Sequence, residues 1–149
     1  MRMSTYCTPD DMRTWLPENE LIQLADDSLD GSGTWESVAE VLEDAIERGS
    51  AEVDGYLETV MELPLPTPLP GLVKSLAARL AVSALLLRRG ALGPDWEAER
   101  ARCLRTLERI ADGRLRLGAE PAEQSAMPDT LIEVSTPARL WGDDTWRKF

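Results

Sequence analysis

One stretch of this chain is apolar on nearly every side of a helix, and it constrains the fold more than any other feature. Between Leu76 and Leu87 the only charged residue is Arg79. A helix that is apolar all round must be covered by other elements, and this run is too short to span a bilayer. Pro70 suits a helix start and Gly90 a helix end. We therefore expect a helix over 70–89 at the centre of the core.

Four further helices are predicted around it, over about 8–16, 18–26, 34–61 and 93–113. Thr8 and Thr34 can cap helix starts, and Asp11 stands where a capping-box acid belongs. The third segment carries apolar residues at steps of three and four over more than six turns, with Gly49 on that stripe. A glycine there costs helix stability, so close approach of another helix would explain it. The pattern predicts an all-α class, a small bundle of two short N-terminal helices and three longer ones.

Prolines at alternate positions interrupt the helical pattern over residues 63–70. Such a segment cannot be helical and favours an extended, polyproline-like strut. A proline-rich docking ligand is one interpretation. We favour the other, a stiff connector between two helices, because Pro70 also serves the start of the next helix.

The charge distribution and the residues that are missing exclude several function classes. The net charge is −11, and residues 1–63 hold 16 acidic and 3 basic side chains. This argues against general binding of nucleic acid or of an anionic membrane. The chain has no histidine, no phosphate-binding glycine loop and no metal-ligand spacing, so we expect no enzymatic activity, metal or cofactor. Cys7 and Cys103 are expected to be buried thiols, with a disulfide as the alternative. No signal peptide is visible, so we expect a soluble, cytoplasmic product.

Helical periodicity ends near Leu117, and the sequence divides there. We predict a helical domain over 1–117, a flexible linker over 118–130 and an extended C-terminal arm over 131–149. The arm contains a short predicted strand, 131–136, without a partner strand, and it ends in aromatic residues where a terminus normally frays. It either folds back onto the bundle or adds its strand to a partner's sheet and anchors its aromatics there, which we favour. The anchoring candidates are Ile132, Val134, Arg139, Trp141, Trp146, Arg147 and Phe149.

Three arginines, Arg102, Arg105 and Arg109, share the outer face of the last helix. They could meet phosphates. We favour a second interpretation, in which they compensate the acidic long helix within the same chain or in a neighbouring subunit.

A series of short motifs follows in order along the chain: Tyr6-x-Thr8-x-Asp10-Asp11, Glu20-Leu21-x-Gln23-Leu24, Ala45-Ile46, Ala51-Glu52-Val53-Asp54-Gly55-Tyr56-Leu57, Leu63-Pro64-Leu65, Pro70-x-Leu72 and Ile110-Ala111-x-Gly113. Their order and spacing resemble those of the Mu-like phage proteins encoded among head and neck genes. The ending is similar too, with Arg139, Trp141, Asp144 and Phe149 at the family's positions. The chain departs from the pattern at Met61-Glu62, where an Arg-Tyr pair is usual, and in its longer proline strut.

The resemblance implies a structural protein of the virion neck, a head–tail adaptor that docks beneath the portal. Such adaptors are helical bundles that form a ring, usually of twelve copies, and reach into the portal with C-terminal arms. The implied partners are the portal protein, copies of this chain and a downstream tail-terminator or stopper protein. Double-stranded DNA would pass without specific binding, and no membrane is involved. Assembly would take place in the bacterial host cytoplasm.

The acidic charge of the long helix suggests how such a ring would interact with DNA. We expect the acidic long helix, or the loops beside it, to line part of the channel, because a negative wall repels phosphates and lets the genome slide. Its candidate residues are Glu36, Glu40, Glu43 and Glu47. The competing function is a small acidic phage protein that regulates or sequesters another protein.

Overall fold

The structure is a computed structural model that describes residues 4–28 and 30–117. Within that part of the chain there are five helices and no β-strand, which confirms the all-α prediction of two short and three longer helices. The predicted linker and arm, including the strand over 131–136, lie outside the described residues. The helices are α1 (Pro9–Met12), α2 (Glu18–Ala25), α3 (Ala39–Leu57), α4 (Gly71–Arg88) and α5 (Pro94–Ala111).

Helix α4 forms the centre of the bundle, as its composition predicts. It packs against each of the other four helices. Its buried residues lie on every side of the helix axis, among them Val73, Leu76, Leu80 and Leu85, which are at most 1% exposed. Burial of that many aliphatic side chains is the main stabilising term of the bundle.

The contact between α3 and α4 is close because α3 carries a glycine where the two helices meet. A Cβ atom added to Gly49 would lie 2.8 Å from the carbonyl oxygen of Ala77 and 2.8 Å from the amide nitrogen of Ala81. Both distances are shorter than real Cβ contacts, and both involve backbone atoms that cannot rotate away. The close approach predicted from the glycine is confirmed.

Helix α3 is shorter at both ends than the sequence suggested. The side chains of Thr34 and Ser37 accept each other's backbone N–H, at 3.3 and 2.8 Å. These reciprocal bonds hold a separate turn, and regular helix begins only at Ala39. At the other end α3 stops at Leu57, and Val60 is 42% exposed instead of continuing the buried stripe.

The first helix begins as predicted and ends early. Thr8 donates its backbone N–H to the Asp11 carboxylate at 2.8 Å, which forms the expected capping box. Regular α-helix ends at Met12, and turns carry the chain on to Leu16. Pro17 then precedes α2.

The proline-rich segment connects α3 to α4 without regular structure. It bends at residues 63–64 and 67–68, so it is not one straight strut as predicted. Its leucines Leu63, Leu65 and Leu69 are half-buried against the core, whereas the intervening prolines at 64, 66 and 68 are exposed. Leucines that face inward in this way favour the connector interpretation over the docking-ligand one.

Candidate interaction surfaces

Two hydrogen bonds hold the N-terminal segment against the middle of α3. The Tyr6 backbone N–H donates to the buried Ser50 hydroxyl at 3.1 Å, and the Tyr6 hydroxyl donates to Asp54. Burial first, and then Asp54, raises the pKa of Tyr6. Tyr6 and Asp54 both belong to the family-like motifs, and their contact gives those motifs a structural role.

Two inward-facing arginines link the three long helices by ion pairs and hydrogen bonds. Arg100 of α5 pairs with Glu52 of α3 at 2.6 Å and donates to the Ser83 hydroxyl of α4 at 3.1 Å. Arg79 of α4 pairs with Glu99 of α5 at 2.7 Å. These half-buried pairs link the three long helices to one another.

The interhelical ion pairs of these two arginines were not predicted from the sequence. A signal was present, because Arg100 lies four residues after Trp96 and three before Cys103, on the inner face of α5. Arg79 likewise interrupts the most apolar run of the chain. An arginine on a buried stripe indicates a partner across the helix interface.

The four acids proposed for the channel wall lie together on the exposed side of α3 and the turn before it. Glu36, Glu40, Glu43 and Glu47 are all exposed. Within the described residues none of them takes part in an ion pair. This part of the molecule therefore presents four carboxylates that no ion pair neutralises.

The three arginines predicted on the outer face of α5 are exposed there. Arg102 bonds to Glu99 of its own helix at 2.8 Å and its side chain is 64% exposed. Arg105 and Arg109 are also exposed, and among residues 4–117 neither is part of an ion pair. The ion pair that joins α5 to the acidic α3 is made by Arg100, so this outer face keeps its positive charge.

Aromatic side chains line a surface depression beside Arg102. The depression has a volume of about 390 Å³ and is lined by Trp15, Asp95, Trp96, Ala98, Glu99 and Arg102. Trp15 is 38% exposed, with the Arg79 guanidinium 4.7 Å from its ring centre. Tryptophan and arginine are the residues most enriched at the energetic centres of protein interfaces.

The chain's two cysteines are free thiols and both are buried, which confirms the first of the two interpretations. Burial raises the pKa of Cys103, and burial with a smaller effect of Asp11 raises that of Cys7 to about 12. In the described part of the chain no group of three or more acidic, cysteine or histidine residues could hold a metal ion. None of its helices is long and apolar enough to cross a membrane.

The residues proposed to anchor the arm, from Ile132 to Phe149, lie outside the described residues. Comparison with known proteins extends to part of that region. A family model described as "Bacteriophage Mu, Gp36" matches residues 6–134, which covers all five helices and the start of the predicted arm. A comparison with curated proteins found no match.

Proposed function

The chain belongs to the bacteriophage Mu Gp36 family, and from that premise we propose that it is a head–tail adaptor of the virion neck. Family membership supports the coarser conclusion that it is a structural or assembly protein of a phage. The adaptor role is our proposal, and it includes a ring of copies beneath the portal, with a tail-terminator or stopper protein below. The observation that carries it is the match over residues 6–134, because it spans the whole bundle.

We infer from the placement of its charges that the described bundle packs against other proteins. The half-buried ion pairs Arg79–Glu99 and Arg100–Glu52 lie within the three long helices. No buried side-chain polar atom in that part of the chain lacks a hydrogen-bond partner. Exposed acids without an ion pair among the described residues lie along α3, and exposed arginines lie along α5. Surfaces of opposite charge on one molecule suit assembly with copies or partners.

Within this proposal the C-terminal arm, residues 131–149, docks to the portal. Trp141, Trp146 and Phe149 supply apolar area, and Arg139 and Arg147 supply charged hydrogen-bond donors beside them. Aromatic and arginine anchors of this kind concentrate binding energy in few residues. The predicted strand with Ile132 and Val134 would add backbone hydrogen bonds to a sheet of the portal.

The proposed ring also lets DNA pass without holding it. A wall of carboxylates repels phosphates, and within the described residues no ion pair neutralises the four acids of α3 and its preceding turn. Two acidic surfaces of the molecule are available for the wall. One consists of the exposed acids Glu40, Glu43 and Glu47 on α3, and the other consists of Asp30 and Glu36 in the segment that precedes α3.

The test of the proposal is binding of the full chain to isolated portal rings of the same phage. Light scattering or electron microscopy should show rings of this chain on the portal. The W141A/W146A/F149A variant should leave the helical circular dichroism unchanged and lower portal affinity by at least 100-fold. The control L140A/T145A, in the same tail, should bind like the wild type.

Three results would each contradict one part of the proposal. Portal binding that is unaffected by the three aromatic substitutions would remove the arm from the proposal. A chain that stays a monomer or dimer with portal present would favour the competing function, a small acidic protein that regulates another protein. Salt-dependent retention on DNA would contradict the repelling wall.

A further inference from the structure

Two exposed rows of opposite charge on α3 and α5 have the same spacing along their helices. Each row has charges at positions i, i+3 and i+7, and every member is exposed. We call them the acidic row and the basic row. The acidic row is Glu40, Glu43 and Glu47, and the basic row is Arg102, Arg105 and Arg109.

Equal spacing makes the two rows equal in length. With a rise of 1.5 Å per residue, each row extends over about 10.5 Å of helix, in steps of about 4.5 and 6 Å. Helices packed in parallel would bring all three pairs into register. Antiparallel helices would offset only the middle pair, by about 1.5 Å, which glutamate and arginine side chains can accommodate.

Five of the six charges in the two rows make no ion pair within the described residues. Like charges three and four residues apart on a helix repel, so each row is slightly unfavourable when it stands alone. In the described residues the only ion pair that any of the six makes is that of Arg102 with Glu99. The attraction between α3 and α5 is already supplied by Arg100 and Glu52, and the two rows remain available to other molecules.

An apolar feature lies beside the basic row. Arg102 borders the depression that contains Trp15 and Trp96, so the row adjoins aromatic surface suited to an interface core. DNA would need only the positive charge, whereas a protein partner uses both. The surface around the basic row therefore fits an acidic protein helix.

Building on the adaptor function proposed above, we propose that the acidic row of one copy binds the basic row of the next copy. Because the two surfaces differ, the contact is heterologous, and repeated contacts close into a ring or extend as a filament. The contact places Glu40, Glu43 and Glu47 between copies. The channel wall is then formed by Asp30 and Glu36, in the segment that precedes α3.

Charge reversal of whole rows tests this contact in the full chain. One variant carries E40K/E43K/E47K, and the other carries R102E/R105E/R109E. Each alone places like charges at every contact and should lose rings, both in free solution and on portal. Mixed in equal amounts they should assemble again, because each contact in an alternating ring joins opposite charges. A six-fold variant with both reversals should assemble by itself.

A control variant, E20K/E58K/E62K, changes the net charge as much as the acidic-row variant but leaves the rows intact. It should assemble as the wild type does, and circular dichroism should show all variants folded. Assembly of either single-row variant at wild-type level refutes the pairing of rows. Failure of both the mixture and the six-fold variant, with folded proteins, refutes it too. A wild-type chain that forms no ring with or without portal refutes the adaptor function itself.

Discussion

Adding one methyl group at Gly49 should destabilise the bundle, although the same change usually stabilises a helix. Alanine in place of glycine in a helix interior is favoured by about 1 kcal/mol. Here the new Cβ would lie 2.8 Å from two backbone atoms of α4, and ordinary contact begins at 3.4 Å. Helices α3 and α4 must therefore separate locally by about 0.6 Å.

The cost of that separation follows from the packing around it. A gap of 0.5–1 Å removes about a quarter to a half of the dispersion attraction between atoms that were in contact, and overpacking a core costs about 1–3 kcal/mol. Because the obstacles are backbone atoms in the middle of both helices, we expect about 3 kcal/mol. Subtracting the gain in helix propensity leaves a net loss of about 2 kcal/mol, or roughly 8 °C in Tm.

Gly55 provides a matched control on the same helix. A Cβ added there meets nothing within 4 Å, and the residue is exposed. Gly55→Ala should stabilise the protein by up to about 1 kcal/mol, whereas Gly49→Ala should destabilise it. Urea unfolding of the full chain, followed by circular dichroism, measures both. If Gly49→Ala is as stable as Gly55→Ala, the inferred helix contact is wrong.

Three further predictions concern polar and thiol groups. Tyr6→Phe removes the hydrogen bond to Asp54 and should cost about 1–2 kcal/mol of unfolding free energy; an unchanged urea midpoint would contradict the role of this bond. The Arg79 hydrogen bond lowers the pKa of Glu99 below its usual 4.5, so its stabilisation is present above about pH 4.5 and is lost as the pH falls through the lower folded value. Arg79→Gln should therefore lose most stability near pH 6 and progressively less below pH 4, and a constant difference would oppose this. Burial and the pKa of about 12 of Cys7 predict that neither thiol reacts with a thiol reagent at pH 8 until urea unfolds the chain.

Much of the helical fold was predictable because local and global signals agree along this sequence. Apolar periodicity located the helices, and the glycine on the α3 stripe identified the face that approaches α4. The start of α3 was not predictable from capping chemistry alone. Thr34 and Ser37 both have side chains that can cap, and their mutual hydrogen bonds close a turn before the helix.

The interaction surfaces, like the helices, were predictable only in part. The sequence placed the arginines of α5 on one outer face and the acids of α3 along another. It did not reveal that Arg100, two residues before Arg102, makes the ion pair between these helices. Which charges pair inside a molecule depends on whether long side chains can span the distance between two helices. Tertiary packing sets that distance. For the same reason the sequence did not predict the depression lined by Trp15 and Trp96, which are 81 positions apart in the chain.

The proline connector between α3 and α4 has a consequence for how crowded copies behave. An irregular surface segment with free N–H groups offers a template on which strands of other chains can add and aggregate. Prolines at 64, 66, 68 and 70 remove every second N–H from this segment, and its leucines are turned toward the core. Neighbouring chains therefore find no continuous ladder of donors there. We therefore expect the connector to resist strand addition at high local concentration, although it has no charged residue between Leu63 and Pro70.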